Sequence, residues 1–136
     1  MNISGSFIFS IKDSQLDFDS IKTNLLLRPS KIIRKGDTVG ILENHKALVD
    51  SWFYEIKIND EKDIFTELSN LLIQLEPYSD YISIISNKYQ SVAIDCYIRS
   101  SLSQFGFSID RALLKKITNL SSSLNFHIIS YGDETD

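Results

Sequence analysis

The sequence predicts an α+β domain: an antiparallel or mixed sheet with about three helices packed mainly on one face, in the order β-α-β-β-α-β-β-α-β. Three observations carry that expectation. Apolar side chains alternate in several short stretches, one longer stretch repeats them at helical spacing, and two prolines and a serine cluster punctuate the chain. At 136 residues the chain suits one domain, 1–136, and is long enough to bury a core without staples.

The elements follow in order. Ile3, Phe7, Phe9 and Ile11 share one side of a first strand. Asp17 offers an N-cap oxygen to a short helix running through Ile21 to Leu25 or Leu26, and Pro29 pushes Arg28 out of helical space. Ser30 to Arg34 reads as extended, Lys35, Gly36 and Asp37 as a turn, and Val39 to Leu42 as a short strand. "SWFYEIKIND" alternates, with Trp52, Tyr54, Ile56 and Ile58 on one face, which makes a strand with one covered side.

Asn59 or Asp60 caps the next helix. Its apolar residues Ile64, Phe65, Leu68, Leu71, Leu72 and Leu75 recur at helical spacing until Pro77 ends it. "DYISIIS" and "SVAIDCYIRS", joined by Asn87 to Gln90, read as a β-hairpin with Val92, Ile94, Cys96 and Ile98 facing the core. Ser108 or Asp110 starts a third helix carrying Ile109, Leu113, Ile117 and Leu120, and Ser121 to Ser123 break it. "LNFHIISY" is the last strand, with Leu124, Phe126 and Ile128 facing one way, and 131–136 reads as a frayed tail.

Charge and composition exclude several function classes. A net charge of −4 disfavours general nucleic-acid binding, whose affinity comes from neutralised phosphates. The single cysteine, Cys96, makes no internal disulfide and suits a reducing compartment. Lys12, the first positive charge, follows the early apolar run instead of preceding it, so the start does not read as a secretory signal. The apolar runs are too short to span a membrane, and cytoplasm is the expected compartment.

The candidate sites have structural explanations beside their functional ones. Arg28, Lys31, Arg34 and Lys35 follow a helix end, whereas a phosphate loop wants clustered glycines before a helix start. There Arg28 and Lys31 are placed to meet free carbonyls. Asp60, Glu61, Asp63 and Glu67 sit where carboxylates stabilise a helix N-terminus. They lack the glycine hinge and distant glutamate of a calcium loop, and as a docking face they suit a basic protein partner. His45 and His127 have no companions at metal-ligand spacing, and Cys96 lies on an apolar strand face where thiols are inert. Trp52, on the inward register of its strand, reads as core. No catalytic set, metal or cofactor is expected.

Taken in order, "LDFDSIKTNLLLRPSKIIRKGD", "SWFYEIKI", "LSNLLIQLEP" and "FSIDRALLKKITNLSSSLNFHIISY" resemble the bacterial domain-of-unknown-function family numbered 4279. The marks are Pro29 and Ser30, Lys35 to Asp37, Ser51 and Trp52, and the closing helix and strand ending in Tyr131. The resemblance spans nearly the whole chain. It implies a small cytoplasmic α+β domain with no catalytic residues to carry over, of a type that looks like those found among toxin and immunity loci. The expected function is a non-enzymatic protein-binding module, an immunity protein that binds and neutralises a cognate toxin domain, with Asp60, Glu61, Asp63 and Glu67 as contact surface. The alternative is a small-molecule or peptide-binding domain using the exposed side of the sheet or a groove near Trp52.

Overall fold

The computed structural model describes residues 3–40, 44–58, 64–101, 106–121 and 123–130. Among them are five strands: β1 (Ile3–Asp13), β2 (Lys31–Ile33), β3 (Asp50–Ile58), β4 (Ser91–Ser100) and β5 (Ser123–Ser130). Four α-helices accompany them: α1 (Phe18–Asn24), α2 (Ile64–Leu75), α3 (Ser79–Lys88) and α4 (Arg111–Leu120). The strands form one sheet in the order β2-β3-β1-β4-β5. All neighbours are antiparallel except β4 and β5, which run parallel, so the sheet is mixed. A parallel pair needs a crossover connection, and α4 supplies it.

One face of the sheet makes the core. The β1 to β3 register sets Phe7, Phe9 and Ile11 beside Ile56, Tyr54 and Trp52, and on the other side β4 sets Cys96, Ile94 and Val92 beside the same three residues. Ile21 and Leu25 of α1, Leu68, Leu71, Leu72 and Leu75 of α2, and Ile82 and Ile85 of α3 close over them. Phe9 meets Trp52 edge to face at 6.2 Å, the arrangement in which ring edge and ring face attract. Trp52 and Cys96 are core residues, as the sequence predicts.

Gly5 is required by the approach of β4. Its φ is +141°, and a Cβ there would stand 1.8 Å from the Tyr97 carbonyl oxygen. Two carboxylates tie the connections at the far end of the sheet. Asp50 accepts from Leu16 N at 2.9 Å and Lys35 N at 2.7 Å; Asp13 accepts from Gln15 N and Gln90 N at 3.2 and 3.0 Å. The amide hydrogen bonds, that of Lys35 foremost and then that of Leu16, hold the Asp50 carboxyl below its usual value of 3.8.

The expected hairpin is overturned. "DYISIIS" lies in helix α3, entered through a 3₁₀ turn over Glu76–Tyr78 with Pro77 at its start. The apolar residues that matter are Tyr78, Ile82, Ile85 and Tyr89, spaced four, three and four apart. Ile82, Ile85 and Tyr89 are buried, while Ile84, which supplied the apparent alternation, is 64% exposed. β4 pairs with β1 and β5 instead of with a preceding strand. The fourth of the six expected strands is therefore a helix, and the order is β-α-β-β-α-α-β-α-β.

Val39 and Gly40 are not in a strand either. Thr38 and Lys46 form an isolated bridge, and Gly40 has φ +77°, a conformation that favours glycine. Ile41 and Leu42, the expected helix cap Asn59 or Asp60, and the tail 131–136 lie outside the described residues. Asp17 and Asp110 do cap α1 and α4, accepting from Ser20 N and Leu113 N.

Candidate functional site: the open face of the sheet

Strand alternation puts every second residue on the face away from the helices. The helices that close the core lie on the other face, although Ser10 and Ala93, on this one, are 1 and 3% exposed. Ser10, Phe53, Asp95 and Asn125 lie there in adjacent strands, followed by Glu55, Tyr97 and His127.

Asp95 is the polar centre of that face. Its Oδ1 accepts from Asn125 Nδ2 at 3.0 Å and lies 3.5 Å from His127 Nε2; its Oδ2 accepts from Ser10 Oγ at 3.4 Å. The Tyr97 ring stacks on the His127 imidazole, centroids 4.5 Å apart and planes 11° from parallel. Burial, and then the neighbouring Asp95 charge, raise the Tyr97 phenol above its ordinary value, so it stays a neutral donor at physiological pH. The same two causes push the Cys96 thiol, on the opposite face, up to about 12.

A carboxylate beside a histidine is part of a proton relay only if the histidine in turn activates a nucleophile. Here the Ser10 hydroxyl donates to Asp95 instead of to His127. The arrangement fixes side chains in place and presents a rigid stacked pair of rings.

Two shallow depressions of about 390 Å³ each flank this centre. One is lined by Glu55, Lys57, Tyr97, Arg99, His127 and Ile129 among others; the second by Ile8, Lys31, Ile33, Phe53, Glu55 and Tyr97. They meet at Glu55 and Tyr97. Lys12 Nζ stands 5.5 Å over the Phe53 ring, and Ser30 ties β2 to the face by accepting from Glu55 N and donating its own N–H to Phe53 O. Larger hollows of about 510 and 580 Å³, between α3 and α4 and around Arg34 and Lys88, are lined mainly by exposed polar side chains.

The residues singled out from the sequence are dispersed. Glu67 is 5% exposed in the first turn of α2, which removes it from any outer contact surface; Asp60, Glu61 and Asp63 lie outside the described residues. Arg28 is exposed beyond the end of α1, Lys31 belongs to β2, and the basic residue in the last turn of α1 is Lys22. Arg34 lies over the Phe18 ring at 4.6 Å. Lys35, Gly36 and Asp37 form the expected turn, with Gly36 at φ +90° and Asp37 accepting from Arg34 N. His45 is exposed in a loop, and no cluster of three or more possible metal ligands occurs among the described residues.

The open-face centre was only half visible beforehand. Strand alternation separates His127 from Leu124 and Phe126, and Asp95 from Ile94 and Cys96. Joining Asp95 to Asn125 and His127 requires knowing that β4 and β5 are parallel neighbours, which the expected hairpin concealed. No helix among the described residues is long and apolar enough to cross a membrane.

The model of one family, described as a domain of unknown function (DUF4279), matches residues 3–131. No curated protein and no solved structure gives a match.

Proposed function

The chain belongs to the DUF4279 family, and from that premise we propose that it is a non-enzymatic protein-binding module, an immunity protein of the cytoplasm that binds and neutralises a cognate bacterial toxin. The observation that carries the reading is the open face. It is shallow, and it mixes rings and aliphatic side chains (Phe53, Tyr97, Ile129) with both signs of charge (Glu55, Lys57, Arg99). Small-molecule sites are enclosed and mostly apolar; protein interfaces are flatter, with aromatic and arginine anchors inside a polar rim. Anchors held in place before binding lose little entropy on association, and Tyr97 stacked on His127 is such an anchor.

The contact surface thus centres on Tyr97, Arg99 and Phe53. Asp60, Glu61 and Asp63 follow β3 directly in sequence, and their negative charge suits a basic toxin surface. Co-expression with the product of the neighbouring gene tests this. The expected outcome is rescue of growth and a one-to-one complex that survives purification, with Tyr97→Ser plus Arg99→Ser losing both while the unfolding midpoint stays within a few degrees. A neighbour that is not toxic, or a complex indifferent to those two substitutions, overturns the reading. Saturable binding of a small peptide at the same face would favour a peptide-binding domain instead.

A further inference from the structure

The two edges of the sheet are built differently. β2 is three residues long, carries the exposed Lys31, and lies between Pro29 on one side and Arg34 on the other. Short length, proline and charge are the devices by which an edge avoids pairing with another chain. β5 has none of them. It runs for eight residues, SLNFHIIS, with no Lys, Arg, Asp, Glu or Pro. Phe126, Ile128 and Ile129 are 38, 45 and 54% exposed, so apolar side chains stand out on both sides of the strand. Its inner edge pairs with β4 along its whole length, Ser123 to Ser130, and among the described residues no strand pairs with the outer edge.

An edge of this kind is recognised by another strand that aligns its backbone along it. We infer that β5 pairs antiparallel with β5 of a second copy of this chain, joining two five-stranded sheets into one. Charge selects that occupant. A two-fold axis brings the middle of one strand against itself, and like charges directly opposite destabilise a strand pair. A strand without a formal charge pairs with itself freely, whereas Lys31 and its basic neighbours would repel a second β2. Pairing keeps same-face residues opposite one another, so centring the axis on Phe126 also sets Leu124 against Ile128, and centring it on His127 sets Phe126 against Ile128. Either register closes apolar side chains over each other.

Eight residues give an edge about 26 Å long, and a single strand pair of that length buries less surface than an obligate dimer interface. The dimer is therefore concentration-dependent. It leaves the surface centred on Phe53, Tyr97 and Arg99 accessible, and so presents two such surfaces per assembly.

Sedimentation of the full chain between about 1 and 200 μM tests the inference, the expected result being a monomer passing to a dimer across that range. Ile128→Lys with Ile129→Lys, both at exposed positions, is expected to weaken association at least about 100-fold while the circular dichroism spectrum is unchanged. Ile32→Lys, on the other edge, leaves the dimer intact. A chain that is monomeric throughout overturns the inference, as does a dimer that survives the two β5 lysines or is lost with the β2 lysine.

Discussion

Adjacent residues of β4 lead opposite lives. Val92, Ile94, Cys96 and Ile98 are at most 1% exposed, while Tyr97 is 43% exposed and Arg99 is also on the surface. Both sets share one strand; the difference is the layer of helices packed on one side. The covered side holds the fold together and tolerates little change. The uncovered side keeps its polar groups in place through one another, as Ser10, Asn125 and His127 do around Asp95, and is free to meet a partner.

The largest test of this contrast is Phe9→Ala against Tyr97→Ser. Phe9 is fully buried against Trp52, and truncating a core phenylalanine costs about 3–5 kcal/mol through lost transfer energy and the cavity left behind. Tyr97→Ser is expected to cost less than about 1 kcal/mol. Urea unfolding of the two variants gives both numbers. Equal losses would mean that the second face is covered too.

A smaller effect is expected where the covered face has no side chain at all. Gly5 sits in register with Ile58 and Ile98, yet its φ and the Tyr97 carbonyl leave no room for a Cβ. Gly5→Ala must move one strand or change the backbone, at about 3 kcal/mol. A variant as stable as the parent would show that β1 and β4 can separate locally without loss.

How much of this was legible depended on whether a signal was local. Alternation along one strand gave the faces of β1, β3, β4 and β5, and the Asp17 and Asp110 caps lay within three residues of the amides they serve. α3 was missed because Ile82, Ser83 and Ile84 imitate period two, while the helical spacing emerges only when Tyr78 and Tyr89 are included. The Asp95 centre was missed for a different reason. Its members come from β1, β4 and β5, and only strand order brings them together. Glu67 is the converse case: a charged residue in a first helical turn reads as surface, yet α2 buries it beside Leu68 and Leu71.

Asp50 opens β3 at the end of the sheet, and its removal should have the smallest effect and the most informative pH dependence. Its carboxylate holds the β1 to α1 connection through Leu16 N and the turn after β2 through Lys35 N. Asn keeps one accepting oxygen, so Asp50→Asn is expected to cost only about 1 kcal/mol at pH 7, at a site water reaches. The folded pKa lies below the unfolded value near 3.8. This contribution is therefore complete above about pH 5 and is lost as pH falls through 3.8 toward the lower folded value. Urea midpoints measured from pH 7 down to pH 3 should show parent and variant converging as the solution becomes acidic. A gap that stays constant would assign the loss to altered shape at the two connections instead of to the charge of the Asp50 carboxylate.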